Sequence, residues 1–364
     1  MRKPLDGYRI LEIGNHESSA FSALMLCEYG AQVTQLLSPS CSAADPAEQA
    51  PLNRGKERIC LDYASDGASD ELQQHFALCD AVITADISFA SHRNFGYQAV
   101  RRSFSSVVYT LISAFGATGP FREHSFCDAV IQAESGVMSI TGESGKEPVL
   151  TGSRIATYLA GCMGCIGTLM ALLDTRRTGR GRFVDVSAMD TILFGLENQF
   201  SVSLKAGNIP GPLGNSYSLS APVGVFPCLD GSVIISVATD AQWKAFAQVF
   251  GREDWLQDPR FATIQDRLLN RREINAETAA EFKKYSYEEL TAMLQSRSCV
   301  YGRVNDFSDV AVHPQVAYRH TFIDITCPDG SICPAVAVPF LMNGIPRENR
   351  SISDVTAGFA KDII

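Results

Sequence analysis

The sequence carries no basic surface for a polyanion: 31 lysines and arginines stand against 40 aspartates and glutamates, a formal net charge of -9. Its basic runs are short pairs such as Arg101-Arg102 and Arg176-Arg177, so nucleic acid is not expected as a partner. The charged opening Met1-Arg2-Lys3 has no apolar segment behind it and runs directly into a strand-like stretch at Tyr8 to Ile13. Nor does any stretch approach the ~18 uninterrupted apolar residues of a membrane span. No secretion signal and no membrane are expected, and the cytoplasm is the expected location. Eleven cysteines, an odd number scattered over the chain, fit free thiols in a reducing compartment better than a disulfide framework. No metal site is expected, and there is no internal repeat or low-complexity tract.

What is present is enough chain for a large core. With 364 residues and roughly 100–200 residues per domain, two or three structural units are expected. In the N-terminal part, short β-branched runs alternate with helical patterns. Arg9 to Ile13 reads as a strand, Ala20 to Tyr29 as a helix closed by Gly30, and Gln32 to Leu37 as a second strand. Asp70 to Cys79 reads as a helix and Ala81 to Thr84 as a third strand. Such alternation implies a mostly parallel sheet covered on both faces, so the first half is α/β. Ile155 to Leu173 is a long apolar helix. Its Ala156, Ala160, Gly161, Gly164 and Gly167 let another backbone come close, which places it inside the domain or at a subunit contact. A strand from Phe183 to Val186 and a helix from Met189 to Phe200 follow.

From Lys205 to Ser220 glycine, proline, asparagine and serine take over, the composition of a linker. Beyond it, Val223 to Phe226 and Ser232 to Val237 form a hairpin pattern turning at Asp230-Gly231, and amphipathic helices follow at Ala241 to Phe250 and Tyr287 to Arg297. Ile323 to Thr326 and Ser331 to Val338 suggest another hairpin through Pro328-Asp329-Gly330. The expected organisation is a large domain over 1–204, a linker over 205–222, a smaller α+β domain over 223–315, and a return segment over 316–364 that packs on the large domain.

A set of short motifs runs in order along nearly the whole chain. They are Asn53-Arg54-Gly55-Lys56 with Leu61-Asp62, Asn94-Phe95-Gly96 with Arg102, and Ser113-Ala114-Phe115-Gly116 with Thr118-Gly119-Pro120. Asp128, Gln132, Ser135-Gly136 and Thr141-Gly142 come next, then Thr178-Gly179-Arg180-Gly181, Val184-Asp185-Val186-Ser187 and Asp190, and finally Pro222, Asp230-Gly231 and Trp243. Together they resemble the family III CoA-transferases, a superfamily that includes crotonobetainyl-CoA and formyl-CoA transferases and 2-methylacyl-CoA racemase. The resemblance implies a Rossmann-like large domain plus a small domain, in a dimer of interlocked rings. It implies acyl-CoA and a small carboxylic acid as substrates, with no permanently bound cofactor. It also implies contacts to CoA from His16, Glu17 and Ser18 in the first βα turn, from Asn94 and Phe95 toward the adenosine, with Arg102 at an often basic position, and from Gly116; Arg54, Lys56, Arg93 and Arg102 are the candidate partners of the phosphates.

In that family a carboxylate attacks the thioester, a mixed anhydride forms, and the released thiolate is captured as an enzyme thioester. The relay demands a carboxylate nucleophile. Relatives place an aspartate in a pattern like Ala-Asp-x-x-x-Gly at the start of the Gly-rich helix; this chain has Ala156-Thr157-Tyr158-Leu159-Ala160-Gly161. A threonine hydroxyl forms no anhydride, so Thr157 is read as packing or hydrogen-bonding in the site rather than as a nucleophile. The phosphate end departs too. Leu37-Ser38 stand where many relatives have a glutamate and a basic residue, and Ala64 stands where some have a basic one.

The catalytic candidates are therefore Thr157, Asp128 and Glu17. Asp128 is read as orienting its loop in preference to carrying acyl groups, with Glu134 close to the same site. Glu17 either faces substrate or is an exposed turn carboxylate. Racemase relatives pair a histidine and an aspartate as acid and base, and the resemblance implies that histidine immediately before Asp128; that neighbour is Cys127, and His124 reads as solvated. Cys162 and Cys165 have redox spacing but read as buried thiols. Gly116, Gly119, Gly142 and Gly214 either admit a ligand or simply allow positive φ. Two readings of activity stand above the racemase: an enzyme that moves CoA between an acyl-CoA and a small acid, and a non-catalytic subunit paired with an aspartate-bearing paralogue, in a homodimer or a heteromer.

Overall fold

The computed structural model describes residues 2–39, 51–63, 68–207, 209–297 and 299–357; Ala64 lies outside the described residues. The chain divides into two compact units, the first made of 1–138, 150–208 and 314–364 and the second of 139–149 and 209–313.

Six strands organise the first unit: β1 (Arg9–Ile13), β2 (Gln32–Leu37), β3 (Glu57–Cys60), β4 (Ala81–Thr84), β5 (Val108–Ser113) and β6 (Phe183–Ser187). They lie parallel in the order β3-β2-β1-β4-β5-β6, the arrangement of a Rossmann-type sheet. All six residues of β5 are buried, as expected of a strand covered on both faces. In β1, Ile10 faces one core with Ala23, Leu26, Ile83 and Ile112, while Leu11 and Ile13 face the other with Leu36, Leu72 and Tyr109. The period-2 alternation of side chains thus divides two apolar cores between the faces.

Helices α1 (Glu17–Glu28), α2 (Ala68–Leu78), α3 (Ile87–Ser91), α4 (Tyr97–Ser103), α5 (Asp128–Glu134) and α6 (Ile155–Thr178) cover the sheet, followed by α7 (Ala188–Gly195) and α8 (Glu197–Ala206). The single helix expected over Met189 to Phe200 is two helices that meet at Leu196, whose N–H is shared among the carbonyls of Ile192, Leu193 and Phe194. The second of them runs into the expected linker and stops where Gly207 takes a left-handed φ of 67°. By length and composition α6 is long and apolar enough to cross a membrane, which corrects the expectation that no stretch is. Its small residues pack inside the unit instead. A methyl group on Gly161 would lie 2.8 Å from the Ser18 carbonyl oxygen, and one on Gly164 would lie 2.4 Å from Ile112 Cδ1. The Thr168 hydroxyl sits 2.7 Å from that of Thr110.

The second unit has an antiparallel sheet of β7 (Val223–Cys228), β8 (Gly231–Ser236) and β9 (Val300–Arg303). Its core gathers Trp243, Phe246, Trp255, Phe261, Ile274, Phe282 and Leu290. Residues 139–149, expected in the large domain, belong here: the Gly214 N–H donates to the Gly142 carbonyl at 2.7 Å. The return segment supplies β10 (Phe322–Thr326), β11 (Ile332–Val336), β12 (Arg350–Ser351) and β13 (Val355–Ala357). The first three form a small sheet, and β13 lies parallel to β3 as the seventh strand of the large one.

Candidate active site

In an open parallel sheet a ligand crevice forms beyond the carboxyl ends of the strands, where the strand order reverses. Here β1 pairs with both β2 and β4, and the cleft lies there. It holds about 820 Å³ and is lined by Ile13 to His16 after β1, Ser38 and Pro39 after β2, Asp62 and Tyr63 after β3, Ala85 to Ser88 after β4, Ser113 and Ala114 after β5, and Arg122 to Phe126. Among the described lining residues the charged side chains are Asp62, Asp86, Glu123 and Arg122, and Arg122 is tied to Glu123 at 2.6 Å. Three carboxylates beside one compensated guanidinium do not suit phosphate. The cleft suits an uncharged thioester better than the charged end of CoA.

The first turn of α1 forms one wall. His16 caps the helix, its Nδ1 accepting the Ser18 N–H at 3.2 Å, and its ring lies 4.4 Å from that of Phe126. Burial pulls the imidazole below its ordinary pKa, Glu17 opposes that shift and Arg154 adds to it. Ser18 is fully buried, with its hydroxyl 2.8 Å from His16 Nδ1, so it supports the histidine rather than facing a ligand. Glu17 turns toward α6 and forms an ion pair with Arg154, the residue that precedes that helix.

Thr157 sits in the first turn of α6 and is 3% exposed. Its N–H donates to Asp128 Oδ2 at 2.8 Å, and Gln132 Nε2 donates to Asp128 Oδ1 at 2.6 Å. Gln132 Oε1 in turn accepts from the N–H of Thr151 at 3.1 Å and from its hydroxyl at 3.2 Å. Asp128 therefore satisfies an orphan donor at a helix start, where a carboxylate is also favoured by the helix dipole. Glu134 is exposed at the other end of α5, and Cys127 and His124 are exposed as well. His124 stacks on Phe121 at 4.6 Å.

Two phosphate candidates are corrected. Lys56 is 1% exposed and bonded to Glu12 at 2.7 Å, to the Ala20 carbonyl at 3.0 Å and to Asn53 at 3.3 Å. Arg54 is 2% exposed and bonded to Glu28 at 2.7 Å and to the carbonyls of Pro51 at 2.5 Å and Val336 at 3.1 Å. Both are core cations held by these bonds. Phe95 is likewise buried, one side covered by His92 stacked at 3.7 Å, so the surface offered there is His92 together with the exposed Asn94. Arg93 and Arg102 are exposed, Arg102 donating to the Gln98 carbonyl at 3.0 Å. None of Arg54, Lys56, Asn94, Phe95 and Arg102 lines the cleft. Gly116 takes a φ of 97° with its N–H on the Ser113 hydroxyl at 2.9 Å. Cys162 and Cys165 are free thiols, Cys165 pushed up to about 12 by burial first and by Cys162 second.

Arg154 and Glu12 escaped the sequence reading. Glu12 had a signal, since it is a lone acid in an apolar strand of a parallel sheet and must find a buried partner. Arg154 had none, because no helical or strand pattern ties it to Glu17.

A Rossmann-type sheet with a switch-point cleft hosts many activities, and similarity to known proteins decides among them. The model of CoA-transferase family III matches residues 5–352. The chain belongs to that family. Succinate–glutarate CoA-transferase of Agrobacterium fabrum is 26% identical over 95% of this chain and 91% of its own length. Succinyl-CoA–D-citramalate CoA-transferase of Chloroflexus aurantiacus is 26% identical over 90% of this chain and 85% of its own. Among solved structures, a CaiB/BaiF family protein from Brucella suis superposes with a TM-score of 0.82 at 26% identity, covering 98% of this chain and 96% of its own. The Mycobacterium tuberculosis protein Rv3272 shares the fold with a TM-score of 0.86 at 22% identity, over 98% of this chain and 97% of its own. The family III assignment thus agrees with the α/β fold and the seven-stranded sheet.

Proposed function

We propose that the chain moves CoA between an acyl-CoA thioester and a small carboxylic acid, with Glu17 in place of Thr157 as the carboxylate that takes the acyl group. The Glu17–Arg154 ion pair carries this reading: it holds a carboxylate, 21% exposed, at the start of the helix whose first turn bears a hydroxyl at the family's acid position. Asp128 is less suited, because both its oxygens already hold hydrogen bonds that fix the helix start. Relatives named as transferases between acyl-CoA and carboxylic acids support the substrate class.

A Glu17 oxygen attacks the thioester carbonyl carbon, the C–S bond breaks, and CoA leaves as thiolate while the acyl group stays on Glu17 as a mixed anhydride. The thiolate attacks the Glu17 carbonyl carbon and expels the first acid as carboxylate, leaving CoA on Glu17. The acceptor carboxylate then attacks that thioester, and the thiolate returns to the acceptor acyl carbon, freeing Glu17. Arg154 fixes the Glu17 carboxylate and spreads its charge. We place the protein in the cytoplasm and in a dimer, where its free thiols and its family resemblance both fit.

Mass spectrometry of the chain incubated with succinyl-CoA, glutaryl-CoA or acetyl-CoA tests the assignment. A covalent CoA adduct is expected on the Glu17 peptide. Glu17→Gln should abolish it and slow CoA exchange between acids by about 10³-fold or more, whereas Thr157→Ala should leave exchange within a few-fold. An adduct that persists in Glu17→Gln rejects Glu17 as nucleophile. Absence of both exchange and acyl-CoA binding by calorimetry rejects the enzyme.

A further inference from the structure

Resting on that reading, we propose that His16 is the hydrogen-bond donor to the thioester carbonyl oxygen, presenting Nε2–H into the cleft from the head of α1. A helix N-cap needs an acceptor, and here the acceptor is an imidazole nitrogen: Nδ1 takes the Ser18 N–H at 3.2 Å. A nitrogen that accepts an N–H bond carries no proton, so a neutral ring must carry its proton on Nε2. Phe126, with its ring centre 4.4 Å away, and the Ser18 hydroxyl, 2.8 Å from Nδ1, hold the ring in place, the hydroxyl donating to Nδ1 when that nitrogen is bare. The side chain lines the switch-point cleft. Burial and the nearby Arg154 both favour the uncharged ring against the opposing pull of Glu17.

A neutral donor fits the chemistry. When the Glu17 carboxylate attacks, negative charge grows on the thioester oxygen, and a donor already fixed in place stabilises that charge without reorganising. A cation at this position would instead compete with Arg154 for Glu17 and weaken the nucleophile. His16 and Glu17 are the N-cap and first residue of one helix, so donor and nucleophile are neighbours in the chain, His16 lining the cleft and Glu17 turned toward Arg154. His16 keeps its proton throughout.

Two measurements test this. In protein labelled with ¹⁵N-histidine at pH 8, His16, assigned from the spectrum of His16→Asn, should show a protonated Nε2 and a bare Nδ1; the reverse tautomer overturns the proposal. His16→Asn also separates the two roles, because the asparagine oxygen can still cap the Ser18 N–H while the Nε2 donor is gone. Single-turnover acylation by succinyl-CoA should fall by about 10²–10³-fold, with the affinity for free CoA, which has no acyl carbonyl, unchanged. Acylation at the wild-type rate in His16→Asn overturns the donor alone. A wild-type chain that is never acylated overturns the transfer reading and the donor with it.

Discussion

At the scale of single residues, the fully buried Glu12–Lys56 pair shows how this sequence places charge inside a parallel sheet. The ammonium has three hydrogen-bond acceptors, and Glu12 also accepts from Gln35 Nε2 at 3.0 Å. Burial pulls the Lys56 pKa down and Glu12 holds it up. Removing one partner strands the other, so Lys56→Met should lower unfolding free energy by about 3–5 kcal/mol in urea titrations. A smaller loss in the Glu12→Gln/Lys56→Met double variant than in the single one would attribute the cost to the stranded carboxylate. The existence of some such pair was legible from Glu12 alone. Its partner was not, because Lys56 lies 44 residues on and reads in the motif as a phosphate ligand.

His75 gives a prediction of pH dependence. It is 5% exposed, and burial holds its imidazole below the ordinary value, as burial does for His16. Below about pH 6.5 the unfolded chain therefore binds protons that the folded chain does not. Stability is complete above that pH and falls as the solution is acidified toward the folded values, with a slope of up to ~1.4 kcal/mol per pH unit for each such proton. Chemical denaturation across pH 5–8 should show this loss, and His75→Leu should flatten it. An unchanged slope in that variant would remove His75 as its source.

At the scale of elements, α6 joins the architecture to the site. The sequence reading recognised its small residues as a surface for close approach; the structure supplies the neighbour, the first turn of α1 that carries His16 and Glu17. Gly161→Ala gains up to about 1 kcal/mol of helix propensity but presses a methyl to 2.8 Å from the Ser18 carbonyl oxygen. Overpacking of backbone costs typically about 1–3 kcal/mol, so thermal denaturation should show net destabilisation, and acylation of Glu17 should slow because its turn is displaced. Gly195→Ala, where the added methyl meets nothing within 4 Å, serves as the control and should be neutral or slightly stabilising. Strands β12 and β13, of 2 and 3 residues, had no legible signal because periodicity needs more residues than they contain; they exist through pairing with β10 and β3. The break at Leu196 was hidden for a related reason, since the apolar pattern continues across a turn that only backbone hydrogen bonds reveal.

At the scale of the whole molecule, the α/β class was legible from the alternation of strand and helix patterns, but the interleaving of the two units was not. Residues 139–149 join the second unit through loop hydrogen bonds such as Gly214 to Gly142, and loops of glycine and serine carry no pattern that names their partner. Each unit has its own apolar core, which is the condition for separate cooperative unfolding. The chain has two tryptophans, Trp243 and Trp255, both in the second unit and stacked at 5.6 Å. Tryptophan fluorescence therefore reports the second unit, whereas far-UV circular dichroism reports both. In urea the two probes should give non-coincident transitions. The cleft is built from the first unit, so acyl-CoA at about 100 times its Kd should add roughly 2.7 kcal/mol to the dichroism transition that fluorescence does not see. Coincident curves that shift together on adding acyl-CoA would show instead that the two cores unfold as one, and that ligand binding at the switch point is felt through the entire chain.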